Sequence, residues 1–223
     1  MTGKISEIFD SIQGEGIYLG EKQLFIRFYG CNLNCKFCDT KLNYFREYEP
    51  EELFKELNHY QEDFHSVAFT GGEPLLQKDF LKEVLKFTAG KGYKNYLETN
   101  GTLYKELEDV IDYLDIIAMD IKLPSSTACK KYWQEHRKFM RIASRKELFL
   151  KMVICESTSE SDIKESLALI EEVNKAAVLV LQPDSHARKM VLKKKIKEFR
   201  EVFRQNHISS CIIPQVHKLI GAR

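Results

Sequence analysis

Hydrophobic and polar positions along this chain keep two rhythms in turn. Short, nearly continuous apolar runs occupy 24–29, 66–70, 95–98, 115–119, 148–154 and 177–181. Runs of that length, rich in Val, Ile, Phe and Leu, predict strands buried on both faces of a parallel sheet. Between them the apolar positions recur at three and four. Phe80, Val84 and Phe87 share a helix face with Leu81 and Leu85 beside them, and Gly90 follows as a stop. Ile163, Leu167 and Ile170 repeat the pattern, as do Leu192, Ile196, Phe199 and Phe203. Pro50 followed by Glu51 and Glu52 predicts the first turn of another helix. Strands separated by helices imply right-handed βα units, in an open barrel or a doubly wound sheet. No linker, repeat or low-complexity segment interrupts them, so the expectation is one domain over 1–223.

The polar punctuation is biased to one end of the predicted strands. A cysteine-rich stretch follows the first, Gly71-Gly72-Glu73-Pro74 the second, and Thr99-Asn100-Gly101-Thr102 the third. Asp120-Ile121-Lys122-Leu123-Pro124-Ser125 follows the fourth, and Gln182-Pro183-Asp184-Ser185 the sixth. In parallel α/β folds the strand C-termini share one rim, and that rim carries the active site.

Composition narrows the classes. The 223 residues are 43% hydrophobic, enough for a substantial core. A formal net charge of +1 shows no basic excess, so nucleic acid is not expected as a direct partner. The basic run Arg188-Lys189 and Lys193-Lys194-Lys195 lies on a core-spaced helix and reads as its solvated face. No leader-like stretch or membrane-length apolar run is present, so the expected compartment is the cytosol, with reduced thiols.

Of six cysteines, Cys129, Cys155 and Cys211 are scattered, and each reads as a small buried or incidental residue. Cys31, Cys35 and Cys38 form Cys-x3-Cys-x2-Cys. Three thiolates at this spacing can converge on one soft metal centre but cannot close a four-cysteine site, which leaves a position open for chemistry. A structural zinc site would need a fourth ligand, His217 or His65 at first guess, and a redox Cys-x2-Cys would leave one cysteine surplus.

That spacing, with Phe37 before the last cysteine, resembles the radical S-adenosylmethionine superfamily, and Gly71-Gly72-Glu73-Pro74 resembles its second motif. Ser11-Ile12-Gln13-Gly14-Glu15-Gly16 before the cluster and Pro214-Gln215-Val216-His217 near the end resemble the 7-carboxy-7-deazaguanine synthase family. The resemblance spans Ile8 to Gly221 and implies a partial, open βα barrel of about six parallel strands.

The resemblance also implies an activity. The family converts 6-carboxy-5,6,7,8-tetrahydropterin into 7-carboxy-7-deazaguanine by radical ring contraction with loss of ammonia, in the queuosine and 7-deazapurine pathway. It uses a 4Fe–4S cluster on the three cysteines, S-adenosylmethionine and magnesium. By position, Ile12, Gln13, Gly14, Glu15, Arg27, Thr70 and Glu98 would meet the pterin, with Arg27 on its carboxylate and Glu98 open to either ligand. Lys36, Phe37, Asp39, Gly72, Glu73, Ser125 and Gln182 would line the S-adenosylmethionine site, and Thr40 matches the magnesium position. A flavodoxin or ferredoxin-like reductant and a homodimer are implied as well. Read without the resemblance, Thr40 is a cap, and Arg27 is equally a surface residue of an edge strand.

Asp120-Ile121-Lys122 resembles a motif of glycyl-radical activating enzymes, where many deazaguanine synthases carry a Ser-Pro-Lys type sequence; Lys122 and Ser125 keep the family's lysine and serine. The runner-up is therefore an activase acting on a partner protein, and a zinc-stabilised interaction module is the non-enzyme alternative. The segment 126–144 is longer than a connection needs, and Trp133, Phe139 and Ile142 predict a packed helix there.

Overall fold

A computed structural model describes residues 1–38, 40, 42–60 and 63–221. Among them, each predicted apolar run is a strand, and three further strands join them. The strands are β1 (Gly3–Ile12), β2 (Lys22–Phe28), β3 (Arg46–Tyr48), β4 (Ser66–Gly71), β5 (Asn95–Thr99), β6 (Ile116–Asp120), β7 (Glu147–Ile154), β8 (Val178–Pro183) and β9 (Ser210–Ile212). They form one sheet in the order β3-β1-β2-β4-β5-β6-β7-β8-β9. Every pair from β2 to β9 is parallel, whereas β1 runs antiparallel to both β2 and β3. This is the open βα barrel expected, extended by an antiparallel edge.

The stretch before the first predicted strand is thus itself a ten-residue strand. Its register with β2 pairs Ile12 with Lys22, the residue at which β2 begins. Residues 13–21 therefore leave the sheet at the strand N-terminal end, opposite the rim. Arg27 is not on an edge strand, because β1 covers one side of β2 and β4 the other.

Eight α-helices lie between and after the strands among the described residues: α1 (Pro50–Leu57), α2 (Lys78–Gly90), α3 (Tyr104–Val110), α4 (Pro124–Thr127), α5 (Trp133–Ala143), α6 (Glu160–Val173), α7 (Lys189–Gln205) and α8 (Val216–Ile220). In α1, Pro50 stands in the first turn, and Glu49 and Glu52 form a capping box. The packed helix expected within 126–144 is α5, which buries His136, Phe139, Met140 and Ala143.

The period-2 alternation of the strands divides the core. Leu24, Ile26 and Phe28 of β2, Val67 and Phe69 of β4, and Leu150 and Met152 of β7 face the helices, in a core shared with Phe80, Leu81, Phe139, Ile170 and Phe203. Their neighbours face the concave side. There Phe9, Phe25, Ala68, Tyr96, Ile116, Phe149 and Val180 make a smaller apolar cluster. Phe9 and Phe25 stack with ring centroids 5.1 Å apart. The 13–21 loop packs under this cluster. Gly16 has φ +69°, and a Cβ there would sit 2.7 Å from the Phe149 ring. Tyr18 caps the same rings and bonds Glu147 at the start of β7. The barrel thus has an apolar floor and an open mouth.

Candidate active site

Following the inward positions from the floor toward the strand C-termini, the side chains turn polar on strand after strand: Arg27, Thr70, Glu98, Asp120, Lys151 and Gln182. They line a cavity of about 700 Å³, within the range of small-molecule sites. The concave face is apolar below and polar above because each of these strands places apolar side chains at the floor and a hydrogen-bonding one beside the rim.

The cysteine loop forms the lip. Cys31, Cys35 and Cys38 are free thiols, exposed or half-buried, and all three line the cavity with Phe37 and Thr40. Two backbone braces hold the loop. Gly72 N–H donates to Phe28 O at 3.0 Å and Glu73 N–H to Gly30 O at 2.8 Å. The approach is so close that a Cβ on Gly72 would lie 1.9 Å from Gly30 O. This is the backbone reason for glycine in the second motif. From the other side, Lys36 N–H donates to Thr127 O at 2.8 Å.

Cys129 is not incidental: its thiol meets that of Cys35, and burial together with this contact pushes Cys35 up to about 12. Among the described residues, no three His, Cys, Asp or Glu side chains are gathered closely enough to hold a single ion. His65 stacks on Tyr18 beneath the floor, and His217 sits against Gly14. The donor set therefore does not suit a tetrahedral zinc. Three thiols spread around the lip of a cavity suit a cluster wider than a single ion.

The other expected cofactor residues divide. Gly72 and Gln182 line the cavity, and Gln182 Oε1 is buried without a hydrogen-bond partner, an acceptor aimed at whatever fills the space. Glu73 does not face the cavity. It is 0% exposed, and its carboxylate accepts from Leu75 N–H, Thr99 Oγ1 and Asn100 N–H. Burial raises its carboxyl to about 7 against those donors. Ser125 is turned toward α6, its Oγ 2.5 Å from Asp162 Oδ2. Lys36 is exposed outside the cavity lining. Asp39 lies outside the described residues.

The expected pterin residues converge more completely. Ile12, Gln13, Gly14, Glu15, Arg27, Thr70 and Glu98 all line the cavity. Glu98 ties two of them together, accepting from Gln13 Nε2 at 3.0 Å and Thr70 Oγ1 at 2.6 Å. Gln13 Nε2 also meets Gln23 Oε1 at 2.9 Å, and Gln23 reaches Ser66. Arg27 lies over the Phe9 ring and pairs with Glu7 at 2.9 Å. Residues 13–15 reach this cluster from the closed end of the barrel, so the cysteine loop and the N-terminal motif approach the cavity from opposite sides.

Two features escaped the sequence reading. Lys151 on β7 donates to Glu15 at 2.6 Å and lies 3.8 Å from Asp120. Its charge inside the run 148–154 was the visible signal. Burial raises the Glu15 carboxyl, but Lys151, Gln215 and His217 outweigh it and bring it down to about 2. Burial lowers the Lys151 amine, and Glu15, Asp120 and Glu98 raise it well above its ordinary range. Asp120 also pairs with Lys122 at 2.8 Å and leaves Oδ1 buried and unpartnered. The second is where the C-terminal motif docks, as a strap. Val216 N–H donates to Gly14 O at 2.9 Å, Gln215 Nε2 to Glu15 Oε1 at 2.7 Å, and Lys218 to Ser185 Oγ at 3.0 Å. The strap thereby ties the rim beyond β8 to the loop from the floor.

An open barrel with three thiols at its lip and a glycine pair pressed against them defines a radical S-adenosylmethionine protein, and residues 25–170 match the model of the Radical SAM superfamily. Full-length relatives narrow this. The chain is 35% identical to a 7-carboxy-7-deazaguanine synthase of Geobacter sulfurreducens, over 98% of this chain and 97% of that protein. It is 32% identical to one of Archaeoglobus fulgidus over the whole of both. The chain belongs to the 7-carboxy-7-deazaguanine synthase family. The fold agrees with the crystal structure of QueE from Escherichia coli, at a TM-score of 0.68 and 20% identity over 95% of this chain and 93% of that one. A domain of a pyruvate-formate lyase-activating enzyme from Bacteroides vulgatus shares the fold at TM-score 0.52 and 17% identity, over 66% of this chain and 98% of that one.

Proposed function

We propose that this chain converts 6-carboxy-5,6,7,8-tetrahydropterin into 7-carboxy-7-deazaguanine by radical ring contraction with loss of ammonia, in 7-deazapurine and queuosine biosynthesis. The observation that carries this reading is the single cavity with a cysteine lip at one end and Gln13, Thr70, Glu98 and Arg27 at the other. When bound, a 4Fe–4S cluster and S-adenosylmethionine supply a 5′-deoxyadenosyl radical, the hydrogen-abstracting species.

The residues supply placement. Cys31, Cys35 and Cys38 would hold the cluster. Gly72 would let the backbone approach the cofactor, with Phe37 beside it and Gln182 Oε1 free to accept from one of its donors. The buried Glu73 acts by fixing the Gly71-Gly72 turn. Glu98 and Gln13 offer an acceptor and a donor set for the amide-like edge of a pterin. Arg27 can exchange Glu7 for the substrate carboxylate, a planar bidentate partner. Lys151 keeps Glu15 ionised beside the ligand. Thr40 is the candidate magnesium ligand, with remaining positions filled by water and substrate oxygens. A flavodoxin or ferredoxin-like protein provides the electron, and the chain works as a homodimer in the cytoplasm. No described helix is long and apolar enough to cross a membrane.

Anaerobically reconstituted protein tests this. Brown protein with roughly four irons per chain, reduced and given pterin, S-adenosylmethionine and magnesium, should form the deazaguanine. Arg27→Ala should abolish turnover. S-adenosylmethionine cleavage without deazaguanine, indifferent to Arg27→Ala, would instead identify an activase.

A further inference from the structure

Beyond its bonds to Glu73, the strand-end motif Thr99-Asn100-Gly101-Thr102 reaches the cysteine loop. Its asparagine is 5% exposed and sits behind the cysteine loop. Asn100 Oδ1 accepts from Thr102 N–H at 3.1 Å and Thr102 Oγ1 at 2.6 Å, which turns the amide nitrogen toward the loop. There Nδ2 donates to Asn32 Oδ1 at 2.8 Å and lies 3.9 Å from Cys31 Sγ. Asn32 closes the circuit by donating to Thr102 Oγ1 at 2.9 Å. The backbone of the same residue reaches two other groups. Its N–H donates to Glu73 Oε2 at 2.7 Å, and its carbonyl faces His136 Nε2 at 3.2 Å. Leu33 N–H also donates to Cys31 Sγ, at 3.4 Å.

We propose that Asn100 is a positioning residue that holds Cys31 and aims an N–H dipole at its sulfur, raising the reduction potential of the cluster bound there. The proposal rests on the cluster reading of the three cysteines. Reduction adds an electron shared between the irons and their thiolates. A donor fixed on a thiolate stabilises the more negative state more than the less negative one. The effect is strengthened here because the amide is buried and cannot reorient, its oxygen being held by two donors. Hydrogen bonds that hold Glu73 and Cys31 through one side chain and its backbone also keep the glycine turn and the cysteine loop in fixed relation.

The test is a redox titration followed by electron paramagnetic resonance on the reconstituted full chain, without pterin, with iron and sulfide measured in parallel. Asn100→Ala removes the donor. Asn100→Asp keeps the acceptor for Thr102 but replaces the donor with a negative charge. Both should load iron and titrate at more negative potential. For Asn100→Ala the reduced-to-oxidised ratio at fixed potential should fall about tenfold, about 59 mV for a one-electron couple, and Asn100→Asp should fall further. Thr102→Val removes one of the two donors on Asn100 Oδ1 and should lower the midpoint by less than Asn100→Ala does. Asn32→Ala removes the competing acceptor at 2.8 Å, leaves Cys31 Sγ as the acceptor of the same fixed amide, and should shift the midpoint upward. Loaded Asn100 variants with the wild-type midpoint overturn the proposal. If the Asn100 variants do not load, an Asn32→Ala midpoint at or below wild type overturns it. Wild-type protein that takes up no iron refutes the cluster reading instead.

Discussion

Lys151→Met removes the one cation that faces Glu15 and Asp120 from β7. Lys151 and Glu15 expose only 17% and 18% of their side chains, and their charged atoms are 2.6 Å apart. The Glu15 carboxyl sits at about 2 against an ordinary 4.5. At 1.36 kcal/mol per unit, that difference corresponds to about 3 kcal/mol. The sign follows from a depressed acid: the stabilisation is fully present above pH 4.5 and is lost as pH falls through about 2. Methionine keeps the apolar stem but strands the carboxylate, and burial then pushes it upward with only Gln215 and His217 opposing. Breaking a buried pair from one side costs about 3–5 kcal/mol. At about 2–4 °C per kcal/mol for a chain of this size, melting should drop by about 10 °C. Thermal and urea unfolding of the cluster-free chain at pH 7 measure this. Glu15→Gln in the Lys151→Met background removes the stranded charge and should recover most of the loss. A single variant within about 1 kcal/mol of wild type, or a double variant no better than the single, would refute the argument.

Other outcomes follow from the same geometry. Gly72→Ala places a Cβ 1.9 Å from Gly30 O, a backbone atom that cannot rotate away. Iron bound after reconstitution should fall well below wild type while far-UV circular dichroism is kept. Gly14→Ala puts a Cβ 2.4–2.7 Å from the His217 ring and should dislodge the strap. The pterin KM should rise at least several-fold, with S-adenosylmethionine cleavage in the absence of pterin little changed. His136 is buried and its ring is lowered to about 4, so it folds neutral. The unfolded chain then binds the extra proton between pH 6.5 and about 4, and stability falls by roughly 3 kcal/mol as pH drops through that window. Glu73, raised to about 7, acts in the opposite sense from pH 4.5 to 7, so the His136 contribution is read as the difference between wild type and His136→Phe across the titration.

Much of this was legible in the chain. The six apolar runs are strands, and the helices fall where the three-and-four spacing put them. The cysteines, Phe37, Gly72 and Gln182 meet in one cavity with Gln13, Arg27, Thr70 and Glu98 because period-2 alternation and the parallel register place strand ends together. What escaped notice depended on pairings between distant segments. Residues 3–12 carry too mixed a pattern to announce a strand, since one face meets the core and the other meets Arg27 and solvent. The 126–144 segment gave no hint that Thr127 and Cys129 brace the cysteine loop, because neither residue is chemically marked until Lys36 and Cys35 lie beside it. Glu73 and Ser125 looked like ligand contacts by motif, and packing gave their side chains Asn100 and Asp162 as partners.

By itself the sequence determined the kind of chemistry: three thiols at a spacing that leaves a metal centre open, on a βα framework whose strand ends share a rim. Residue type and spacing are local properties, and cysteine spacing along one loop needs no distant partner to be meaningful. The tertiary structure decided which charges face one another and from which direction. An antiparallel β1 brings Gln13, Gly14 and Glu15 up from the floor, β7 carries Lys151 to meet Glu15 and Asp120, and the strap lays Gln215 and His217 across them. Such pairings join residues up to 200 positions apart. They exist only once hydrophobic burial has assembled the sheet and its helices, because an ion pair that is weak in water acquires its strength, and its influence on a neighbour's ionisation, from being taken out of water.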